Sequence, residues 1–406
     1  MKVTGVIVEY NPLHYGHQLH LERTRQISGC DAIIAVMSGG FTQRGEPAIF
    51  SKWARAEMAL SSGCDLVLEL PSAYAVQPAE WFAYGAVAVL QATGVTDSLV
   101  FGSESGSLEA LRPLVDLLTD ESPPIQQLIR QHLDQGMSYP AALGRAATLS
   151  GILSPESVAL LGQPNNTLGL QYMIALRRLQ SDIVPFTIQR EQSGYHDTQP
   201  SHDRIASATA IRNMLQNDPE AIAQYVPPAV MDIIQRERKA GRGPVHINQL
   251  WMPLLHILAT STPTDLAQYY DMKEGIEYRL KKLLPSLPES SVHQLVSSLK
   301  TKRYTHARLQ RLLAHLLLGH RQDLLHTSML SQGPAYLRVL GFTPTGQELL
   351  KRMKKTASLP IVTRAVDMQH VQMELDIRAT VMQAAGFQNQ QMKDMYSDYY
   401  HAPIRM

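Results

Sequence analysis

Val3-Thr4-Gly5-Val6-Ile7-Val8-Glu9-Tyr10-Asn11-Pro12-Leu13-His14-Tyr15-Gly16-His17 is the stretch whose reading decides the fold. Val3 to Val8 is a short apolar run of β-branched character, too short for a helix and suited to a buried strand. A loop carrying Asn11-Pro12 follows, and from His17 to Ile27 apolar residues recur at helical spacing. The stretch therefore predicts strand, loop and helix, with two histidines three residues apart where the helix begins.

Working outward, the same alternation repeats. Ala32 to Val36, Leu66 to Leu70 and Ser98 to Phe101 read as further buried strands, with helices predicted over Ser51 to Ser61 and Pro78 to Ala92. Strands that alternate with helices predict an α/β protein, a Rossmann-like doubly wound parallel sheet. Such a sheet binds ligands at the carboxyl ends of its strands, so the loops Glu9 to Gly16, Ser38 to Glu46 and Gly102 to Gly106 are expected to converge. Residues 107–180 read as mainly helical, Ile183 to Ile188 as a late strand, and Ala206 to Gln216 as the helix after its loop. Beyond Pro227-Pro228 the pattern turns Leu-rich and helical with hardly any strand signal. The expected division is a catalytic α/β domain over 1–225 and an α-helical domain over 226–406.

The 406 residues exceed one ordinary core. A formal net charge of +1 and 18% charged residues give no global bias towards nucleic acid or membrane, so a polyanion site must be local. Cys30 and Cys64, the two cysteines, lack metal-type spacing and read as reduced core thiols. The amino-terminal apolar run is interrupted at Glu9, which fits neither a signal peptide nor a membrane span and points to the cytoplasm.

His14-Tyr15-Gly16-His17 suits nucleotidyl transfer. The protein has little covalent chemistry to perform there; it holds a nucleophile in line with the α-phosphate and stabilises charge on phosphoryl oxygens. Two imidazoles at a helix start can donate to those oxygens, Gly16 leaves room for the nucleotide, and the helix terminus adds partial positive charge. A second element, Ser207-Ala208-Thr209-Ala210-Ile211-Arg212, offers two hydroxyls and a guanidinium at another helix start. Ser207 also reads as a plain N-cap, while Thr209 and Arg212 together resemble the distal phosphate-gripping motif that complements HxGH in its superfamily, which implies that Arg212 neutralises the β- and γ-phosphates as pyrophosphate leaves. The catalytic candidates are thus His14, His17, Thr209 and Arg212. No Cys or Ser nucleophile paired with a His base is evident, so no acyl-enzyme is expected.

Taken together, Val8-Glu9-Tyr10-Asn11-Pro12 leading into HxGH, Met37-Ser38-Gly39, Gln43-Arg44-Gly45-Glu46-Pro47-Ala48, Ser51-Lys52-Trp53-Ala54-Arg55, Phe101-Gly102-Ser103-Glu104, Pro164-Asn165-Asn166, Gly194-Tyr195-His196-Asp197 and the Ser207 to Arg212 run closely resemble the bacterial tRNA(Met) cytidine acetate ligase family. The resemblance covers nearly the whole α/β region. It implies an enzyme that activates acetate with ATP as acetyl-adenylate and passes the acetyl group to the N4 amine of the wobble cytidine of elongator tRNA(Met). It also implies ATP-binding positions at Ile7-Val8-Glu9-Tyr10-Asn11-Pro12-Leu13-His14-Tyr15-Gly16-His17-Gln18-Leu19-His20, Gly102, Asn165 or Asn166, and Arg190-Glu191. Mg²⁺ is expected to ride on the ATP phosphates rather than in a protein cage.

For RNA, the best local candidate is Arg279 to Leu312, where eight Lys or Arg face one acid, Glu289. Lys302, Arg303 and Arg308 are the expected tRNA contacts; a solvated basic helix face is the plainer alternative. Neither a membrane nor DNA is expected as a partner. Two rivals share the ATP half: an adenylyltransferase acting on a small phosphorylated metabolite, and a nucleotide-binding protein without turnover. The extra helical region favours a macromolecular acceptor over the first, and intact His14, His17, Thr209 and Arg212 argue against the second.

Overall fold

Five parallel strands form the heart of the molecule: β1 (Val3–Val8), β2 (Ala32–Ser38), β3 (Leu66–Leu70), β4 (Ser98–Ser103) and β5 (Val184–Gln189). In this computed structural model, which describes all residues except 120–122, 136, 138, 152–157, 191–205 and 302–303, they lie in the order β5-β4-β1-β2-β3. Every residue of β2 and β3 is buried. Fully burying Ile33, Ile34 or Val36 stabilises the sheet by roughly 1.5–3 kcal/mol apiece, which is why these runs carry almost no polar side chain. The register runs from Val3 opposite Ala32 to Val8 opposite Met37, so β1 and β2 end together.

The order reverses beside β1: β2 and β3 extend one way, β4 and β5 the other. The turn-back leaves a crevice between the carboxyl ends of β1 and β4, the expected ligand position in a doubly wound sheet. Helices fill both faces. The first, α1 (Tyr15–Ser28), ends at Gly29 in the left-handed conformation, φ 62°; α2 (Lys52–Ser61) is capped by Ser51, whose hydroxyl accepts from the Ala54 amide at 3.2 Å. The helix α3 (Ala79–Ala92) packs so closely on β1 that a Cβ at Gly5 would stand 2.5 Å from Leu90.

The region beyond 225 departs from the expected all-helical pattern. Strand β6 (Leu337–Phe342) pairs antiparallel with β3, from Leu66 opposite Phe342 to Glu69 opposite Arg338. The short strands β7 (Ile361–Val362) and β8 (Ile404–Arg405) pair with β6 in turn. A six-residue apolar run cannot be told from a helix segment by periodicity, and the long Leu-rich surroundings hid it. The extension covers the β3 edge, which would otherwise present unpaired backbone. A boundary at 225/226 therefore does not separate sheet from helices.

Between these strands lies a helical layer with its own core, from Ile247 through Leu280 and Leu295 to Leu318, into which Phe41 and Val76 of the α/β part insert. Cys30 and Cys64 are buried and free. Among the described residues no helix is long and apolar enough to cross a membrane.

Candidate active site

The crevice opens into a cavity of about 470 Å³, lined from the ends of β1, β4 and β5 and from four helix starts. The β1 loop enters it through Tyr10, a left-handed residue at φ 47° whose phenol is buried beside Cys64. Such a backbone costs a non-glycine residue on the order of 1 kcal/mol and is held by its surroundings. Asn11 then anchors the loop by accepting from the Ile49 amide at 2.8 Å.

His14 is the N-cap of α1: its Nδ1 accepts from the Gly16 amide at 3.1 Å, which fixes the ring and turns its other edge away from the helix. The His17 ring lies 3.8 Å from it, centroid to centroid, with the edge of Tyr10 against its other side at 5.0 Å. Among the described residues, Nδ1 of His17 and Nε2 of His20 are buried without a hydrogen-bond partner. Buried polar atoms are nearly always paired, so these point to a missing ligand. Burial pushes the His14 pKa down to about 3, and the charges of Arg190 and Arg212 push the same way. Burial, with His14 and Arg190, also holds His17 well below the ordinary range, and burial with Arg190 takes His20 down to about 4. All three are neutral imidazoles at pH 7, each able to donate one hydrogen bond.

The second sequence element arrives where expected. Ser207 caps the helix α4 (Ala208–Asn217) by accepting from the Ala210 amide at 3.0 Å, so its N-cap reading holds. Arg212 donates to the Thr209 hydroxyl at 3.0 Å and to the Asn11 carbonyl at 3.1 Å, tying α4 to the HxGH loop. Across the cavity, Glu104 accepts from the Asn165 amide and side chain at 3.1 and 2.7 Å and from the Asn166 amide at 2.7 Å, capping the helix Pro164–Arg178.

The two asparagines part company there. Asn166 is fully buried, accepting from the Ser105 amide and donating to Gln163, whereas Asn165 lines the cavity and accepts from Arg190 at 3.3 Å. Gly102 also lines it, and a Cβ at this position would come within 3.1 Å of the Arg190 side chain.

Of the segment 7–20, Ile7, Val8, Glu9, Tyr10, Asn11, His14, Gly16, His17, Leu19 and His20 line the cavity; Pro12, Leu13, Tyr15 and Gln18 do not. Leu13 belongs to the core instead. Glu191, Tyr195, His196 and Asp197 lie outside the described residues.

Sequence reasoning passed over Arg23 and Arg44, which join Arg190 and Arg212 on the cavity wall against one carboxylate among the described residues, Glu9. Arg23 was detectable: His17, His20 and Arg23 recur every three residues along α1. Tyr172 was detectable by the same rule, on a stripe with Asn165 and Leu168. Arg55 carried no such signal. Wholly buried, it donates to the carbonyls of Glu9 (2.6 Å), Ser38 (3.0 Å), Gly39 and Phe50, pinning the β1 and β2 loops together. Cationic on one side and apolar on the other through Ile7, Phe101, Ile188 and Tyr172, the cavity is built for a ligand with a flat apolar part and several negative charges.

The expected RNA stretch looks different. Lys302 and Arg303 lie outside the described residues. Arg308 is spent on Asp271, Nε and Nη2 to its two oxygens at 3.1 and 3.2 Å, and stacks on Tyr304. Lys281 donates to the carbonyls of Leu258, Ala259 and Ser261 where the helix Trp251–Thr260 ends. The local charge excess is smaller in space than along the chain.

Known proteins match this architecture over its whole length. Residues 1–398 match the family described as HIGH Nucleotidyl Transferase. The chain is 38% identical over 413 residues to the tRNA(Met) cytidine acetate ligase of Caldanaerobacter subterraneus subsp. tengcongensis, covering all of both proteins. It is 42% identical to that of Anoxybacillus flavithermus over 372 residues, 91% of each. Among solved structures, apo TmcAL of Thermotoga maritima superposes with a TM-score of 0.93 at 35% identity over the full length of both chains. The same protein bound with alpha-thio ATP superposes with a TM-score of 0.91, covering 100% of this chain and 99% of the other.

Proposed function

Because the chain belongs to the HIGH nucleotidyl transferases and, within them, to the tRNA(Met) cytidine acetate ligase family, we propose that it is an ATP-dependent ligase that joins acetate to a cytidine of tRNA(Met). The observation that carries this is the meeting of His14 and His17 with Thr209 and Arg212 on one cationic cavity, in a chain colinear with those ligases from end to end.

The residues divide the work as follows. Neutral His14 and His17 donate to α-phosphate oxygens as acetate attacks, giving acetyl-adenylate; donors fixed in a water-poor cavity stabilise developing charge most where they need not reorganise. Arg212, oriented by Thr209 and the Asn11 carbonyl, takes the β- and γ-phosphates and stabilises the departing pyrophosphate. Arg190 and Asn165 border the same space, and Asn165 rather than Asn166 is the ATP contact.

The apolar wall by Ile7, Phe101 and Tyr172 receives the base. Mg²⁺ would ride on the ATP phosphates and help neutralise their charge. The acetyl group then passes to the N4 amine of the wobble cytidine of elongator tRNA(Met), in the cytoplasm, with Lys302 and Arg303 of the basic stretch among the residues that meet the RNA.

Incubating the protein with ATP, acetate and tRNA, then digesting the RNA, tests the reading. N4-acetylcytidine at the wobble position of elongator tRNA(Met), absent without acetate, is the expected product. ATP turnover with no acetylated nucleoside would overturn it.

A further inference from the structure

A second cavity, of about 570 Å³ and open to solvent, lies beside the first. Its polar walls are Gln216 from α4, Gln235, Arg238 and Lys239 from the helix Pro228–Lys239, and His246 and Gln249 from the loop that follows. Helix α4 borders both cavities, Arg212 lining the first and Gln216 the second. Gln216 is four residues beyond Arg212, so both side chains stand on one stripe of α4, neighbours about 5–6 Å apart at their Cβ atoms. The loop bearing His246 is seated on the Glu46–Phe50 turn: the Val245 amide donates to the Ile49 carbonyl at 2.9 Å, and a Cβ at Gly243 would come within 2.6 Å of that carbonyl. The charge of Arg212 also reaches His246, holding its pKa below the ordinary value after burial has lowered it.

The cations around this helix end fall into two groups. Arg236 is bound to Glu57 at 2.9 and 2.6 Å and to Glu237 at 3.0 Å, and Arg242 to Glu237 at 2.7 and 3.0 Å. Those pairs fasten the helix and its loop. Arg238 has only an exposed Glu220 at 4.0 Å, and Lys239 has no ion pair among the described residues. Both line the cavity, whose walls contain no carboxylate among the described residues. One cation in the last turn would answer the helix dipole; a pair converging on a carboxylate-free hollow ringed with primary amides goes beyond that.

We propose that this cavity seats a nucleotide of the acceptor RNA adjoining the one that is modified. Arg238 and Lys239 grip its phosphate, and the amides of Gln216, Gln235 and Gln249 meet the edges of its splayed base. The inference rests on the RNA acceptor proposed above. Its open side lets a strand continue in both directions, as an enclosed metabolite pocket would not. A chain held here brings the next base to the Arg212 side of the nucleotide cavity, within which the activated acyl group forms.

The test compares wild-type protein with the Arg238→Gln/Lys239→Gln double variant, one half-buried and one exposed position, both outside the nucleotide cavity. Acetate-dependent ATP–pyrophosphate exchange reads the first half-reaction and is expected to stay unchanged. The KM for tRNA is expected to rise about tenfold at low salt, and the slope of its logarithm against log salt to fall by roughly 0.7, the share of the one phosphate gripped. A photoreactive p-benzoylphenylalanine in place of Gln216 should crosslink to tRNA and not to ATP.

If wild-type protein acetylates tRNA while the double variant keeps the same KM and slope and Gln216 gives no crosslink, this cavity is not an RNA subsite and the proposed function stands. Loss of exchange in the double variant would assign the cavity to ATP and overturn the inference. Failure of the wild type to acetylate any tRNA removes both.

Discussion

The HxGH loop and the Arg279–Leu312 stretch are both dense in functional residue types, yet the fold treats them in opposite ways. Around the loop, His17 and His20 keep buried nitrogens unpaired, and Arg212 is held in place by Thr209 and Asn11. Along the basic stretch, Arg308 closes on Asp271 and Lys281 caps a helix. The difference is topological. A loop at the carboxyl end of a parallel strand beside the reversal of strand order faces a crevice that the sheet cannot fill. A helix face carries no such obligation, and its charges pair with whatever the neighbouring helices offer. Charge density along a chain therefore indicates a ligand only when the backbone also provides a hollow.

The largest effect that would break this contrast is at His17. His17→Ala is expected to leave the fold intact, since its Nδ1 has no hydrogen-bond partner among the described residues, and to slow acetate-dependent ATP–pyrophosphate exchange about 10²–10³-fold, some 2.7–4 kcal/mol. Full exchange activity would remove His17 from the phosphate chemistry.

Next is acid stability. His14 has a folded pKa of about 3 against an ordinary 6.5, so between those values the unfolded chain binds a proton that the fold refuses. Stability is unaffected above pH 6.5 and declines as pH falls, by roughly 3 kcal/mol at pH 4 for this group. Urea unfolding at pH 7 and pH 4, with His14→Asn reducing the difference, checks the sign and the source.

Arg212→Lys sharpens the comparison at smaller scale. A lysine keeps the charge but cannot serve Thr209, Asn11 and a phosphate together, and kcat/KM for ATP in the exchange assay should drop about tenfold, near 1.4 kcal/mol. Smallest is Arg308→Gln: the pair with Asp271 is partly exposed, so stability should fall by about 1 kcal/mol or less while exchange is untouched. A change in exchange rate there would show that the basic stretch reaches the nucleotide cavity and erase the contrast.

The strand-loop-helix alternation up to Ala92 was legible because its signals are local: six-residue β-branched runs, helical spacing, and turn residues between them. Asn165 and Asn166 could not be separated in the sequence, because which one faces the cavity depends on Glu104 and Ser105 meeting them from another segment. Strand β6 escaped for a similar reason, since Leu337–Phe342 becomes a strand by finding the exposed edge of β3.

By itself, then, the sequence determined the parallel sheet, the loop at its switch point and two short candidate motifs, His14 to His17 and Thr209 to Arg212. These follow from periodicity and from residue types acting within a few positions of one another. Only the tertiary structure decided where the carboxyl-terminal strands join, which basic residues are spent on pairing, and that Arg55 holds four distant carbonyls. Those outcomes depend on which groups meet across long stretches of chain, and burial rather than local propensity chooses the partners.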